Sequence, residues 1–360
     1  MANKTHVYDG SWREVKKIYV YDSDTTFWRL VKYSHVWDGT AWRQVHTNAY
    51  IFNKTFSTPA SNYDLMNDIK SMPAPTAWNG TDDIEATITV NPGVTVFSSV
   101  SGSPGYAMRI APNPSTYPGT TIPAASTISL KNYGYIVGKG GDGGDGGGNL
   151  PAYGGAGLNG SAGSPALILG TSTTVTNYPG SIIASGGGGG GGGGAAVSYN
   201  NFGKGGVYGA AAGGSGGGGG GNGSPAGSTS SKGAAGISPA LFNPAPSSGS
   251  PGNAGNDGST SAGAGGAPVQ VVITQPDLPA NQIWTATGGS GGSGGARGSA
   301  GVAGAAGTFA TSGPRSPLTI AATGGGGSGG ATGSSIIGTS FLTPASSVTP
   351  GTNVFGPSTA

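Results

Sequence analysis

The sequence predicts a mostly β and irregular fold in three parts. These are an N-terminal β-meander repeat over residues 1–47, a small β-rich neck domain over 48–133, and a C-terminal bundle of polyglycine II helices with connecting loops over 134–360. Three observations carry this reading. Glycine supplies 76 of the 360 residues, against about 7% in an ordinary globular chain. Of these, 7 lie in residues 1–133 and 69 in residues 134–360. Charge runs the other way, with 21 of the 30 Lys, Arg, Asp and Glu residues before position 134.

The same composition excludes several classes of function. A net charge of +2 gives no electrostatic footprint for a phosphate backbone, which argues against nucleic acid as a partner. The absence of Cys removes disulfides and thiolate metal sites. No stretch approaches the ~18 apolar residues of a membrane span. The opening residues MANKTHVYDG lack the apolar run of a secretory leader.

The first part repeats. VYDG-SWREV, VYDSDTTFWRLV and VWDGTAWRQV begin at Val7, Val20 and Val36. Asp-Gly at Asp9-Gly10 and Asp38-Gly39 is a strong hairpin signal, because the turn needs positive φ. Trp12, Trp28 and Trp42 hold matching places. They read either as the core of a small module or as a stacking face. Forty-seven residues bury little surface, which points to an attachment module that gains rigidity from a partner or from homo-oligomerisation.

In the second part, Ile84 to Val90 alternates, Asn91-Pro92-Gly93 breaks the run, and Val94 to Phe97 resumes it. That pattern predicts a hairpin. Residues 106–110 and 127–130 predict further strands. Residues 61–69 predict one helix, with Ser61 or Asn62 as N-cap.

In the third part the glycine period is three. Gly140 to Gly148 reads GGDGGDGGG and Gly288 to Ala296 reads GGSGGSGGA. Gly154, Gly157, Gly160 and Gly163 keep the spacing, as do Gly298, Gly301, Gly304 and Gly307. A helix with three residues per turn and no internal hydrogen bonds must find lateral partners, and glycine lets neighbouring backbones approach. Several runs follow an apolar strand through an Ala-Ser/Thr-Gly-Gly entry, as at Ile183 to Gly187, Trp284 to Gly289 and Ile320 to Gly325. This suggests a repeated unit of strand then run. Collagen needs longer strict triplets with Pro, and the Pro residues here sit in the connectors.

No catalytic constellation emerges, and the reading is of a chain that is not an enzyme. His6, His35 and His46 have no carboxylate and nucleophile at a useful spacing. Asp142 and Asp145 lack the apolar residue that a calcium nonapeptide repeat places after each Asp. No metal or cofactor site is expected. Aromatic and Asn residues cluster in the connectors between runs, at Tyr153, Tyr199, Asn200, Phe202, Tyr208, Phe242 and Asn243. Such residues on a rigid scaffold build recognition surfaces, or else cover the bundle.

GGDGGDGGG, IIASGGGGGGGGG and TATGGSGGSGG over residues 134–360 resemble the glycine-rich receptor-binding tail fibre adhesins of tailed bacteriophages, of the kind carried at long tail fibre tips. The Trp-Arg repeat resembles short β repeats at the start of phage tail proteins. The resemblance implies a virion protein made in the host cytoplasm and carried on tail, fibre or baseplate. It implies polyglycine helices whose loops bind a host outer-membrane protein or glycan, and other phage tail or fibre proteins as partners. Two other classes stay open: a structural glycine-rich fibre or matrix protein, and an ice-binding polyglycine protein, which needs a flat Ala/Thr/Ser face.

Overall fold

The computed structural model describes residues 49–73, 77–102, 105–112, 121–147, 155–194, 287–310, 323–348 and 353–360, together with the backbone of strands within 6–47, 196–212, 270–287, 308–312 and 319–323. Each copy of the N-terminal repeat forms one antiparallel hairpin. β1 (His6–Tyr8) pairs with β2 (Trp12–Glu14), β3 (Tyr19–Asp22) with β4 (Phe27–Leu30), and β5 (Tyr33–Trp37) with β6 (Trp42–Thr47). Trp12 is the register partner of Tyr8, Trp28 of Tyr21 and Trp42 of Trp37. The described strands form three separate two-stranded sheets rather than a continuous meander. A tight turn fixes pairing within a copy, and the linkers between copies contain no Asp-Gly turn.

From residue 50 the chain winds into stacked coils, each laying one strand on each of three parallel sheets. The first coil holds β7 (Tyr50–Phe56), β8 (Ala60–Ser61) and β9 (Tyr63–Asp64), followed by α1 (Leu65–Ser71). The second holds β10 (Ile84–Val90), β11 (Thr95–Phe97) and β12 (Met108–Ile110), and the third β13 (Thr127–Asn132), β14 (Tyr135–Val137) and β15 (Leu167–Leu169). The fourth begins with β16 (Thr173–Asn177) and β17 (Ile182–Ala184). The chain then leaves the solenoid for β18 (Ala196–Phe202), β19 (Gly206–Ala212), β20 (Gln270–Gln275), β21 (Gln282–Thr287), β22 (Thr308–Ser312) and β23 (Thr319–Thr323). It returns to complete the fourth coil with β24 (Ile336–Ile337). A last coil bridges Leu342 and Ser347 to β16 and adds β25 (Val354–Phe355) and β26 (Ser358–Thr359).

Alternation within each strand and identical register between coils line up the core. Phe52, Ala86 and Ile128 are stacked register partners, as are Val96, Ile136, Ile183 and Val354, and Tyr63, Met108, Leu167 and Ile336. All are buried. Such a column satisfies backbone groups laterally and apolar groups vertically, and each coil contacts mainly its neighbours.

Two local expectations are corrected. β10 and β11 do not form a hairpin: they lie in different sheets and pair in parallel with neighbouring coils. Asn91-Pro92-Gly93 is a corner, with Gly93 at φ +75 and the Val94 amide donating to the Asn91 carbonyl. The helix starts at Leu65 with Asp64 as N-cap, its carboxylate accepting from the Met66 and Asn67 amides. Ser61 and Tyr63 are strand residues instead, because Tyr63 stacks on Met108 in the core. The helix buries Leu65, Met66 and Ile69, and Asp68 pairs with Lys54 at 2.9 Å.

The corner between the first two sheets recurs. Asn132, the register partner of Val90, donates from Nδ2 to Asn177 Oδ1 at 2.6 Å, and Asn132 Oδ1 accepts from the Gly134 amide. Both asparagines are buried. Next to them Tyr133 and Tyr178 stack with centroids 3.9 Å apart. The composition change at residue 133 falls between β13 and β14 of one coil, so the strand order runs on across it.

The glycine runs are excursions from a single corner, that between the second and third sheets. In the second coil the excursion is residues 98–107, in the third 138–166 and in the fourth 185–335. The described runs are run 1 (138–147), run 2 (157–166), run 3 (186–194), run 4 (288–296), run 5 (299–307) and run 6 (324–333). Their hydrogen bonds are lateral and recur every third residue. Gly141, Gly144 and Gly147 donate to Gly187, Gly190 and Gly193, and Gly188, Gly191 and Gly194 donate to Ser299, Val302 and Ala305. Runs 1, 3 and 5 form one parallel layer. Runs 2 and 6 lie antiparallel on one side of it and run 4 on the other, as the bonding partners require. The register comes from the solenoid: Gly138 donates to Ala184 at the end of β14 and β17, and the same offset continues along runs 1 and 3.

Glycine content follows position in this lattice. In run 3 all three Cβ directions meet backbone: run 1 behind Gly189, run 4 behind Gly190 and run 6 behind Gly191. Every residue there is Gly. Run 6 faces runs 5 and 2, and keeps two glycines per triplet; runs 2 and 5 each turn one direction to run 3 and keep one. A Cβ on Gly191 would stand 1.9 Å from the Gly327 carbonyl oxygen, whereas one on Gly325 meets nothing within 4 Å. Gly191→Ala is therefore expected to cost at least the ~1–3 kcal/mol of an overpacked interior site, and Gly325→Ala to stay within about 0.5 kcal/mol, by urea unfolding. Asn132→Ala, which strips a buried partner from Asn177 and Gly134, is expected to cost about 1–3 kcal/mol in the same assay.

Candidate functional site

Runs 1, 3 and 5 lead away from the solenoid, and runs 2, 4 and 6 return. Run 4 ends at the base, where the Gly298 amide donates to the Ser185 carbonyl. Strands β18 to β23 therefore all lie in connections at the far end of the bundle. They form two antiparallel three-stranded sheets, in the orders β19-β18-β23 and β20-β21-β22, and β18 and β19 lie against β21. β21 ends at Thr287, beside Gly288 of run 4, and β23 at Thr323, beside Gly324 of run 6. The strand-then-run pattern thus has two origins. β14 and β17 are solenoid strands at the base, while β21 and β23 are tip strands.

The sequence placed Tyr199, Asn200, Phe202 and Tyr208 in a connecting loop. They lie instead in a hairpin at the tip, with β18 as the middle strand of its sheet. Tyr199 is the register partner of Gly209 and Ile320, Asn200 of Tyr208 and Thr319, and Phe202 of Gly206. The signal for this was present. Val197, Tyr199 and Phe202 on one side and Val207 and Tyr208 on the other flank Gly203-Lys204-Gly205, a sequence signal for a hairpin. Surrounding glycine obscured it. Tyr153, Phe242 and Asn243 lie outside the described residues. Trp12, Trp28 and Trp42 sit on the second strands of their hairpins, well separated in sequence from the tip.

Elsewhere the ionisable groups serve packing. Asp64 caps α1 and stands 3.8 Å from Arg109, whose guanidinium lies 4.2 Å over the Tyr106 ring. Burial, reinforced by the nearby Asp68 carboxylate, pushes the Tyr63 phenol far up. Burial likewise raises Tyr106, against the opposing pull of Arg109. A shallow recess beside them is lined by Asn62, Val100, Gly105 and Tyr106, at the base rather than the tip. The carbonyls of Asp142 and Asp145 accept from the Ser161 and Leu158 amides. Among the described residues no group of three His, Cys, Asp or Glu could hold a metal ion, and no helix is long and apolar enough to cross a membrane.

The crystal structure of the gp37–gp38 adhesin tip complex of the bacteriophage S16 long tail fibre is similar at a TM-score of 0.40 and 17% identity, over 85% of this chain and 81% of that one. No curated protein matches. The family model described as phage tail fibre adhesin Gp38 matches residues 51–279. That span opens on β7 and takes in the solenoid strands up to β17 and the first three tip strands, leaving outside the Trp-Arg hairpins and everything after residue 279, the returning solenoid strands β24 to β26 included. The chain belongs to the phage tail fibre adhesin Gp38 family.

Proposed function

We propose that the far end of the glycine bundle is the surface with which this adhesin grips its host, and that it recognises an outer-membrane protein or a surface glycan. The family gives the chain an attachment role on a phage tail. The observation that carries the finer reading is positional: the aromatic-bearing hairpin β18–β19 lies at the end of the bundle farthest from the solenoid. On this reading the runs are polyglycine II helices, supported by their three-residue lateral bonding, and they act as a rigid spacer. Binding is reversible and the chain is not catalytic. Several copies on one virion convert modest affinity into firm attachment.

The three Trp-Arg hairpins are the attachment module, joined to other tail or fibre proteins of the particle. Their place ahead of the solenoid, outside the span that matches the family, fits a connector particular to this chain.

Tyr199→Ala with Phe202→Ala is expected to lower adsorption of the purified chain to host cells by tenfold or more while leaving its circular dichroism unchanged. Unaltered adsorption would remove the hairpin from the binding surface. Replacing Trp12, Trp28 and Trp42 together by Ala is expected to do the reverse: the free chain still binds cells, but purified virions carry much less of it by immunoblot.

A further inference from the structure

A lattice bonded laterally in every direction has no natural boundary. Each outer run presents amides and carbonyls at a three-residue spacing, ready to pair with one more run. This is the hazard of an exposed sheet edge. The runs on the side of runs 1, 2 and 6 meet it with side chains. Asn159, exposed on run 2, turns its Oδ1 to accept from the Ser328 amide of run 6 at 2.8 Å. Ser161, also exposed on run 2, bonds both backbone groups of Asp142 on run 1: its Oγ accepts from the amide at 2.9 Å and donates to the carbonyl at 3.0 Å. Ser164 does the same for the Lys139 amide at 2.7 Å, but it is buried at the base of the bundle.

Run 2 needs glycine at only one position in three, so two positions per triplet are free to carry side chains. Ala at those positions would preserve the packing. Asn159 and Ser161 instead occupy outward positions and engage backbone groups of the runs on either side. Asp142 and Asp145, in the outward-facing third position of run 1, add like charge along the same rim.

We propose that Asn159 and Ser161 close this rim of the bundle against lateral addition of a second copy of the chain. They engage the Ser328 amide of run 6 and the Asp142 amide and carbonyl of run 1 with groups that cannot propagate the lattice. The partner excluded is the bundle of another molecule, whose glycine runs carry the same three-residue spacing.

The test compares the full chain with Asn159→Ala/Ser161→Ala, side by side, by light scattering over a hundredfold range of concentration. The expected result is a shift of the variant to larger species as concentration rises, with an unchanged circular dichroism spectrum and retained adsorption to cells. Asn159→Ala/Ser161→Thr, which keeps the run 2 hydroxyl that bonds to run 1, is expected to shift less. A double-alanine variant of the same size as the parent at every concentration overturns the proposal, whether or not its unfolding midpoint has fallen. Association accompanied by a changed spectrum, and equally strong in the threonine variant, also overturns it, because misfolding then accounts for the larger species.

Discussion

Everything above the solenoid depends on the approach of one backbone to another with no carbon between them. At the centre of the bundle a Cβ would lie 1.9 Å from a carbonyl oxygen, closer than two atoms bonded to a common third, as at Gly191 or Gly189. Only glycine allows it, and glycine brings its own difficulty. Each ordered residue costs about 1–2 kcal/mol of backbone entropy, with glycine at the upper end. A lateral hydrogen bond returns a net ~0.5–1.5 kcal/mol. Run 3 bonds to five neighbouring runs among the described residues, which is how a segment without side chains becomes an interior.

The solenoid reduces the remaining cost by holding the ends. Columns such as Val96, Ile136, Ile183 and Val354 fix the height of each coil. β14 and β17 hand their pairing to runs 1 and 3, and β15 and β24 hand theirs to runs 2 and 6, with no change of offset. The period changes from two to three at this point, but the register does not. A flexible chain would have to search for that alignment. Here it is set by apolar side chains that stand outside the glycine runs themselves.

The glycine lattice was legible in the sequence because its geometric rule is written at every third residue. GGDGGDGGG states both the period and the outward position. The solenoid was much less legible. Its strands are two to seven residues long, and the coils are separated by excursions of very different length, so a repeat of constant spacing never appears. Asn91-Pro92-Gly93, Asn132-Tyr133-Gly134 and Asn177-Tyr178-Pro179-Gly180 mark one corner three times, yet each alone reads as a hairpin turn. What separates a corner from a hairpin is the long-range stacking of neighbouring coils, which no local window contains. The tip hairpin was obscured differently. Tyr199 and Phe202 stood out by residue type, but flanking glycine made a strand look like a loop.

The corner between the second and third sheets admits one residue in the first coil, a short loop in the second, a pair of runs in the third and the whole tip in the fourth. Wherever the chain departs, it comes back to the next strand of the same coil. Departure and return points therefore stay neighbours regardless of what is built between them. A phage lineage can lengthen, shorten or exchange the outer strands without disturbing the hydrophobic columns below. With the tip as the proposed gripping surface, host range and structural integrity would rest on different stretches of one polypeptide, and selection could act on the first while leaving the second alone.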